Sequence, residues 1–116
     1  MTQHHTVTID IDADGIGLVT FDQAGRAMNV LNADLVVPFG AVVERLEKEE
    51  AIKGLVLTSA KSTFIVGADI DQLITIQTAE QAFAVCEELK TLMRRMEKCG
   101  KPVVAALNGT ALGGGL

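Results

Sequence analysis

Two short segments rich in glycine and small side chains carry the residues best suited to chemistry: STFIVGADI, residues 62–70, and NGTALGGGL, residues 108–116. Each follows an apolar run, and each lets backbone N–H groups approach a ligand with no Cβ in the way. Two such N–H groups aimed at one oxygen make an oxyanion hole. For a thioester this matters, because chemistry next to the carbonyl drives negative charge onto its oxygen, and preorganised donors stabilise the resulting enolate.

Rival readings of the glycines fail on spacing. A Walker-type phosphate loop needs Gly-Lys followed by Ser or Thr, which is absent. A dinucleotide fingerprint needs GxGxxG between a first strand and a helix, whereas Gly15 and Gly17 belong to a hairpin. Taken alone, GGG reads as ordinary turn chemistry, so weight falls on the pair of segments together. Asp69 invites a general-base role, but an Asp opening a helical turn commonly caps it, and the cap is the reading adopted. His4 and His5 lack the further ligands of a closed metal site. Cys86 and Cys99, with no second metal-like pair, read as reduced thiols.

The elements that must position these loops follow from periodicity. TVTIDID, residues 6–12, alternates as a half-buried strand, Asp14-Gly15 turns the chain, and IGLVTF, residues 16–21, returns as a second strand. Residues 23–32 form a loop with some apolar character, and Asn32 caps a helix running to about Glu49, with Leu35, Val36, Phe39, Val42, Val43 and Leu46 as its apolar set. KGLVLT, residues 53–58, is a buried strand. A short helical turn starts near Asp69. Thr78 with Gln81 then forms a capping-box pattern ahead of a long helix that ends at Gly100. Its apolar positions include Phe83, Val85, Leu89, Leu92, Met93 and Met96. Pro102 opens a last apolar strand, VVAALN, before the glycine-rich turn. Helices alternating with strands define an α/β fold.

Composition bounds the function. The chain has 116 residues, 48% hydrophobic, enough apolar material for a core, and with four Phe but no Trp or Tyr that core must be aliphatic. A formal charge of −5 argues against a nucleic-acid binder, since that affinity depends on clustered Lys and Arg. Arg94 and Arg95 sit among Glu87, Glu88 and Glu97, as on a solvated, charge-balanced helix face. No run is long enough to span a bilayer, and MTQHHTVTID lacks the pattern of a secretory signal, so the expected location is cytoplasmic.

FIVGADI, followed some 40 residues later by ALNGTALGGGL, resembles the paired signature of the crotonase superfamily, the enoyl-CoA hydratases and isomerases. MNVLNADLV, residues 28–36, resembles that family's early CoA-binding loop and following helix. FIVGADI is most similar to the hydratase domain of multifunctional fatty-acid β-oxidation α subunits. The resemblance implies a partial crotonase-like spiral of ββα units, with residues 1–116 as the N-terminal portion of one hydratase/isomerase domain. It implies that the N–H groups of Ala68 and Gly114 form the oxyanion hole for an acyl-CoA thioester. Gly67, Asp69, Ile70 and Asp71 would flank the CoA site. Ala27, Met28, Val30 and Leu31 would lie against pantetheine or adenine, although packing of an ordinary connector accounts for these four equally well.

In the family's hydratases two glutamates move the protons, one activating water and one protonating the α carbon. By resemblance the first would directly follow Leu116, and the second lies further on. Glu44, Glu47, Glu49, Glu50, Glu80, Glu87, Glu88 and Glu97 are expected on helices away from both loops. The 116 residues are therefore expected to be an inactive piece of a longer enzyme, with exposed apolar surface and strand edges. The family implies a homo-oligomer or a thiolase-containing complex. It implies no cofactor in this segment and NAD in a downstream dehydrogenase domain. An enoyl-CoA isomerase, another crotonase-type enzyme, and a noncatalytic acyl-CoA-binding or assembly module remain alternatives.

Overall fold

The computed structural model describes residues 5–116, so the reading of His4 lies outside the described residues, while His5 is exposed. Strand β1 (Val7–Ile11) pairs antiparallel with β2 (Ile16–Phe21), Val7 facing Phe21 and Ile11 facing Gly17. The hairpin turns at Gly15, whose φ of 85° favours glycine. Asp12 contributes more than the sequence indicated: its carboxylate accepts the N–H groups of Asp14 and Ile16, each at 2.9 Å.

Helix α1 (Ala33–Lys48) carries the chain from β2 to the parallel strand β3 (Gly54–Ser59), and Asn32 caps it by accepting from the Leu35 N–H at 3.3 Å. Pro38 is accommodated in the second turn. The stripe Leu35, Phe39, Val42, Val43 and Leu46 is buried against the sheet with Val19, Phe21, Ile52, Leu55 and Leu57. Each side chain removed from water in this way stabilises the fold by about 1.5–3 kcal/mol before entropy is counted. Phe21 meets Phe39 and Phe64 edge-on, with ring centroids 5.3 and 6.1 Å apart. Helix α1 stops at Lys48, so Glu49 is the cap residue and Glu50 lies in the following turn, which corrects their expected helical placement.

A short helix α2 (Ile70–Leu73) precedes α3 (Ala79–Lys98), which returns the chain to β4 (Val103–Ala105), parallel to β3 with Leu55 opposite Val103. The sheet order is β1-β2-β3-β4. Strand β4 is shorter than the apolar run VVAALN suggested, because pairing with β3 covers only Val103, Val104 and Ala105. Thr78 caps α3 by accepting from the Gln81 N–H at 3.1 Å, while the Gln81 carboxamide accepts from Gln77 and not from the cap residue.

The apolar face read for α3 is largely uncovered. Leu92 is its one buried residue, and Phe83, Val85 and Met93 are exposed. Helix α3 packs on α1 through Leu92 and the pair Arg95–Glu47, Leu89 and Met96 are half-buried with Met96 against the core, and Phe83, Val85 and Met93 are left open. Arg95 thus reaches across to α1, whereas Arg94 pairs with Glu97 on its own helix.

Candidate active site

The loop between β2 and α1 is held by buried amides. Asn29 is fully buried; its Nδ2 donates to Phe21 O at 3.1 Å, Ser59 Oγ at 2.9 Å and Phe64 O at 3.2 Å, and its Oδ1 accepts from Gln23 N at 3.0 Å. The buried Gln23 carboxamide accepts from Val30 N at 2.7 Å and donates to Asn32 Oδ1 at 2.8 Å. Lys61 Nζ donates to the carbonyls of Gln23 and Arg26, both at 2.7 Å. Every polar atom named here finds a partner, which makes the network rigid instead of costly. Sequence reasoning missed it, because amides in an aperiodic loop carry no pattern.

The clamped strand-like stretch runs beside residues 66–69. Val66 N–H donates to Asn29 O at 3.0 Å, Leu31 N–H to Gly67 O at 2.8 Å, and Asp69 N–H to Leu31 O at 3.2 Å. Leu31 and Ala68 are therefore partners in an isolated parallel bridge. In such a bridge the hydrogen bonds belong to the neighbours of Ala68, so its own N–H points the opposite way, off the paired edge.

The second loop docks on the other side of this stretch. Phe64 N–H donates to Thr110 O at 2.9 Å and Leu112 N–H to Ile65 O at 3.0 Å. A Cβ at Gly109 would collide with Ser62 O, and one at Gly115 with Ile65 O, so the close approach requires glycine. Gly67, at φ 93°, lies against Leu112 and Gly113: a Cβ on Gly67 would sit 3.3 Å from Leu112 O. Gly113–Gly115 form a 3₁₀ turn in which Gly115 N–H donates to Leu112 O and Leu116 N–H to Gly113 O. Gly114 falls in the first turn, where N–H groups have no intrahelical acceptor. Neither Ala68 N–H nor Gly114 N–H has a hydrogen-bond partner among the described residues.

Beside Gly114 opens an apolar cavity of about 510 Å³ between the sheet, α1 and α3, lined among others by Leu31, Phe64, Ile65, Leu89 and Met93. Glu97 also lines it, which departs from the expectation that every helical glutamate stands apart, but its carboxylate is engaged by Arg94 at 3.1 Å.

Asp69 is the N-cap of α2, accepting from Asp71 N–H at 3.1 Å, as the sequence indicated. It also accepts from Asn32 Nδ2 at 3.0 Å and Arg26 at 2.8 Å. The Asn32 carboxamide foremost, with the Asp71 N–H and the Arg26 guanidinium, holds its carboxyl below the ordinary aspartate range. A carboxylate so engaged is a poor proton acceptor. The remaining residues singled out from sequence divide by exposure: Ala27, Met28, Ala68, Ile70, Asp71 and Gly114 are exposed, Val30 and Leu31 half-buried, Gly67 and Asp69 buried. Leu31, Gly67, Ala68 and Gly114 are gathered at one place, since a Cβ on Gly114 would sit 2.5 Å from Leu31 Cδ1.

The sheet, its two crossing helices and the paired glycine loops define an α/β segment of crotonase type. Residues 12–116 match the family model described as enoyl-CoA hydratase/isomerase, and the chain belongs to that family. It is 36% identical over its whole length to the fatty acid oxidation complex subunit alpha of Idiomarina loihiensis. It is 40% identical over 89% of its length to that of Shewanella amazonensis. It spans only 16% and 15% of these relatives. Among solved structures, an enoyl-CoA hydratase from Bacillus anthracis superposes with TM-score 0.83 at 26% identity, covering 95% of this chain and 42% of that one. One from Thermoplasma volcanium gives 0.84 at 26% identity, covering 97% and 44%. No helix among the described residues is long and apolar enough to cross a membrane.

Proposed function

We propose that this segment binds an acyl-CoA thioester and polarises its carbonyl as part of an enoyl-CoA hydratase that adds water to a 2-enoyl-CoA, giving a 3-hydroxyacyl-CoA in fatty-acid oxidation. The observation that carries the reading is the pair of unengaged N–H groups, Ala68 and Gly114, on two loops that touch at Gly67 and Gly113. Both donate to the thioester oxygen. As the nucleophile adds at the β carbon, charge gathers on that oxygen, and donors already in place stabilise it without reorganisation. The exposed Ala27 and Met28, with Val30 and Leu31, line the path of the CoA arm, and Gly67, Asp69, Ile70 and Asp71 shape its other wall. The cavity beside Gly114 offers the apolar surroundings an acyl chain needs.

On this reading the proton-transfer carboxylates lie outside residues 1–116, and the segment alone does not turn over. Its first loop offers Asp69, which is occupied, and the adjoining α2 offers Asp71, which is exposed. The relatives named as fatty acid oxidation complex subunit alpha support a place in a larger fatty-acid oxidation assembly; by the family resemblance a dehydrogenase domain there would use NAD, and isomerase chemistry at the same two donors is the alternative reading.

The test replaces Gly114 by proline, which deletes the N–H, and by alanine, which keeps it, in the protein as its gene encodes it. Gly114→Pro lowers kcat by about 100- to 1,000-fold with enoyl-CoA, the usual cost of one oxyanion donor. Gly114→Ala, whose Cβ meets the side-chain ends of Leu31 and, at 3.8 Å, Leu89 and no backbone atom, loses far less. Equal turnover in folded Gly114→Pro and wild type would defeat the assignment.

A further inference from the structure

We propose that Asn29 is a positioning residue for the Ala68 N–H, aiming it at the thioester oxygen from the far side of the loop. The inference rests on the oxyanion reading of Ala68 and goes beyond it by naming what fixes the donor's direction. Ala68 makes no hydrogen bond of its own to hold its peptide plane; the hydrogen bonds that orient it are those of its neighbours Gly67 and Asp69 to Leu31. That bridge is only as well placed as the stretch 29–31, which lies in the loop between β2 and α1 and outside both elements.

Asn29 supplies what the loop lacks. One planar carboxamide binds the end of β2 through Phe21 O, the end of β3 through Ser59 Oγ, and the start of the donor loop through Phe64 O. Its backbone carbonyl simultaneously receives Val66 N–H, two residues before Ala68. Strand ends and donor loop are thereby referenced to a single planar group that is fully buried. No aspartate substitutes for it, because the carbonyl oxygens of Phe21 and Phe64 face the Nδ2 side and would repel a carboxylate. Asn29 lies behind the bridge and is not itself placed against substrate.

The experiment uses the protein as its gene encodes it and a conjugated dienoyl-CoA thioester, whose ultraviolet absorption moves to longer wavelength when its carbonyl is polarised. Wild type is compared with Asn29→Ala and with the milder Ser59→Ala, which removes one acceptor from the carboxamide and the acceptor of Lys61 N–H but leaves the bonds of Asn29 to Phe21 O, Phe64 O and Gln23 N. Both variants are first shown to be folded by circular dichroism. Displacing a donor by a fraction of an ångström is expected to lower kcat by roughly 10- to 100-fold for Asn29→Ala. KM should change little, and the wavelength shift should shrink in the order wild type, Ser59→Ala, Asn29→Ala. A folded variant that keeps the full shift and kcat overturns the positioning role while leaving the oxyanion reading intact. If Asn29→Ala does not fold, Ser59→Ala alone decides. No shift in wild type overturns the oxyanion reading, and the positioning role with it.

Discussion

Ala68 is held against Leu31 by two hydrogen bonds, at 2.8 and 3.2 Å, that belong to its neighbours Gly67 and Asp69 and not to itself. The residue is fixed while its N–H is left over. Gly114 arrives at the same condition by another route, as the second residue of a 3₁₀ turn whose first N–H groups have no acceptor inside the turn.

This contrast predicts an amide-exchange pattern readable without any mutation. The N–H groups of Leu31 and Asp69 should exchange slowly with deuterium, whereas those of Ala68 and Gly114 should exchange fast. Adding a nonreactive acyl-CoA should slow Ala68 and Gly114 selectively. Residue-resolved exchange by NMR or mass spectrometry checks this, and protection of Ala68 in the free protein would place its N–H in an unforeseen bond.

Much of this arrangement was readable in the sequence, because the signals were local. Alternation marked β1 and β2, Asp14-Gly15 marked their turn, and Asn32, Asp69 and Thr78 marked helix starts by the one property that distinguishes them, a short side chain that accepts a backbone N–H. What escaped was nonlocal. The partners of Asn29 at Ser59 and Phe64 are 30 and 35 residues away, and no pattern in residues 23–32 announces them. The face of α3 is apolar, but periodicity states only that a face wants a partner. Phe83 remains 68% exposed because α1 meets α3 at Leu92.

Two glycines provide opposite predictions for one substitution. Gly67 has φ 93°, and its Cβ would press on the Leu112 carbonyl, a backbone atom that cannot step aside. Gly67→Ala should therefore destabilise by about 1–3 kcal/mol and weaken acyl-CoA turnover by shifting the contact between the two loops. Gly40 sits inside α1, and a Cβ there would meet Leu92 Cδ1 at 3.9 Å, an ordinary contact. Gly40→Ala should stabilise by about 0.5–1 kcal/mol through the entropy removed from the unfolded chain. Urea midpoints of the two variants, moving in opposite directions from wild type, are the expected result.

The last prediction concerns acid. Asp69 has its carboxyl lowered below the ordinary aspartate range by the Asn32 carboxamide first, then by Asp71 N–H and Arg26. A group whose folded value is depressed binds its proton more weakly in the native state than in the unfolded one. Its stabilisation is thus fully present above the unfolded aspartate value and is lost as pH falls through the folded value. Glu44, Glu47 and Glu49 are lowered too, by Lys48, Arg95 and Arg45, so the acid limb of wild type alone reports a sum. The difference between wild type and Asp69→Asn isolates one site. Asparagine keeps an acceptor for Asp71 N–H but turns an amide NH2 toward Arg26 and the Asn32 Nδ2 in place of the charged oxygen they share. The gap in urea midpoint should be widest near neutral pH and close progressively as the solution is acidified below the aspartate range. A gap that stays constant across that titration would mean that charge at position 69 contributes nothing, and that the loop beside Ala68 is held by shape alone.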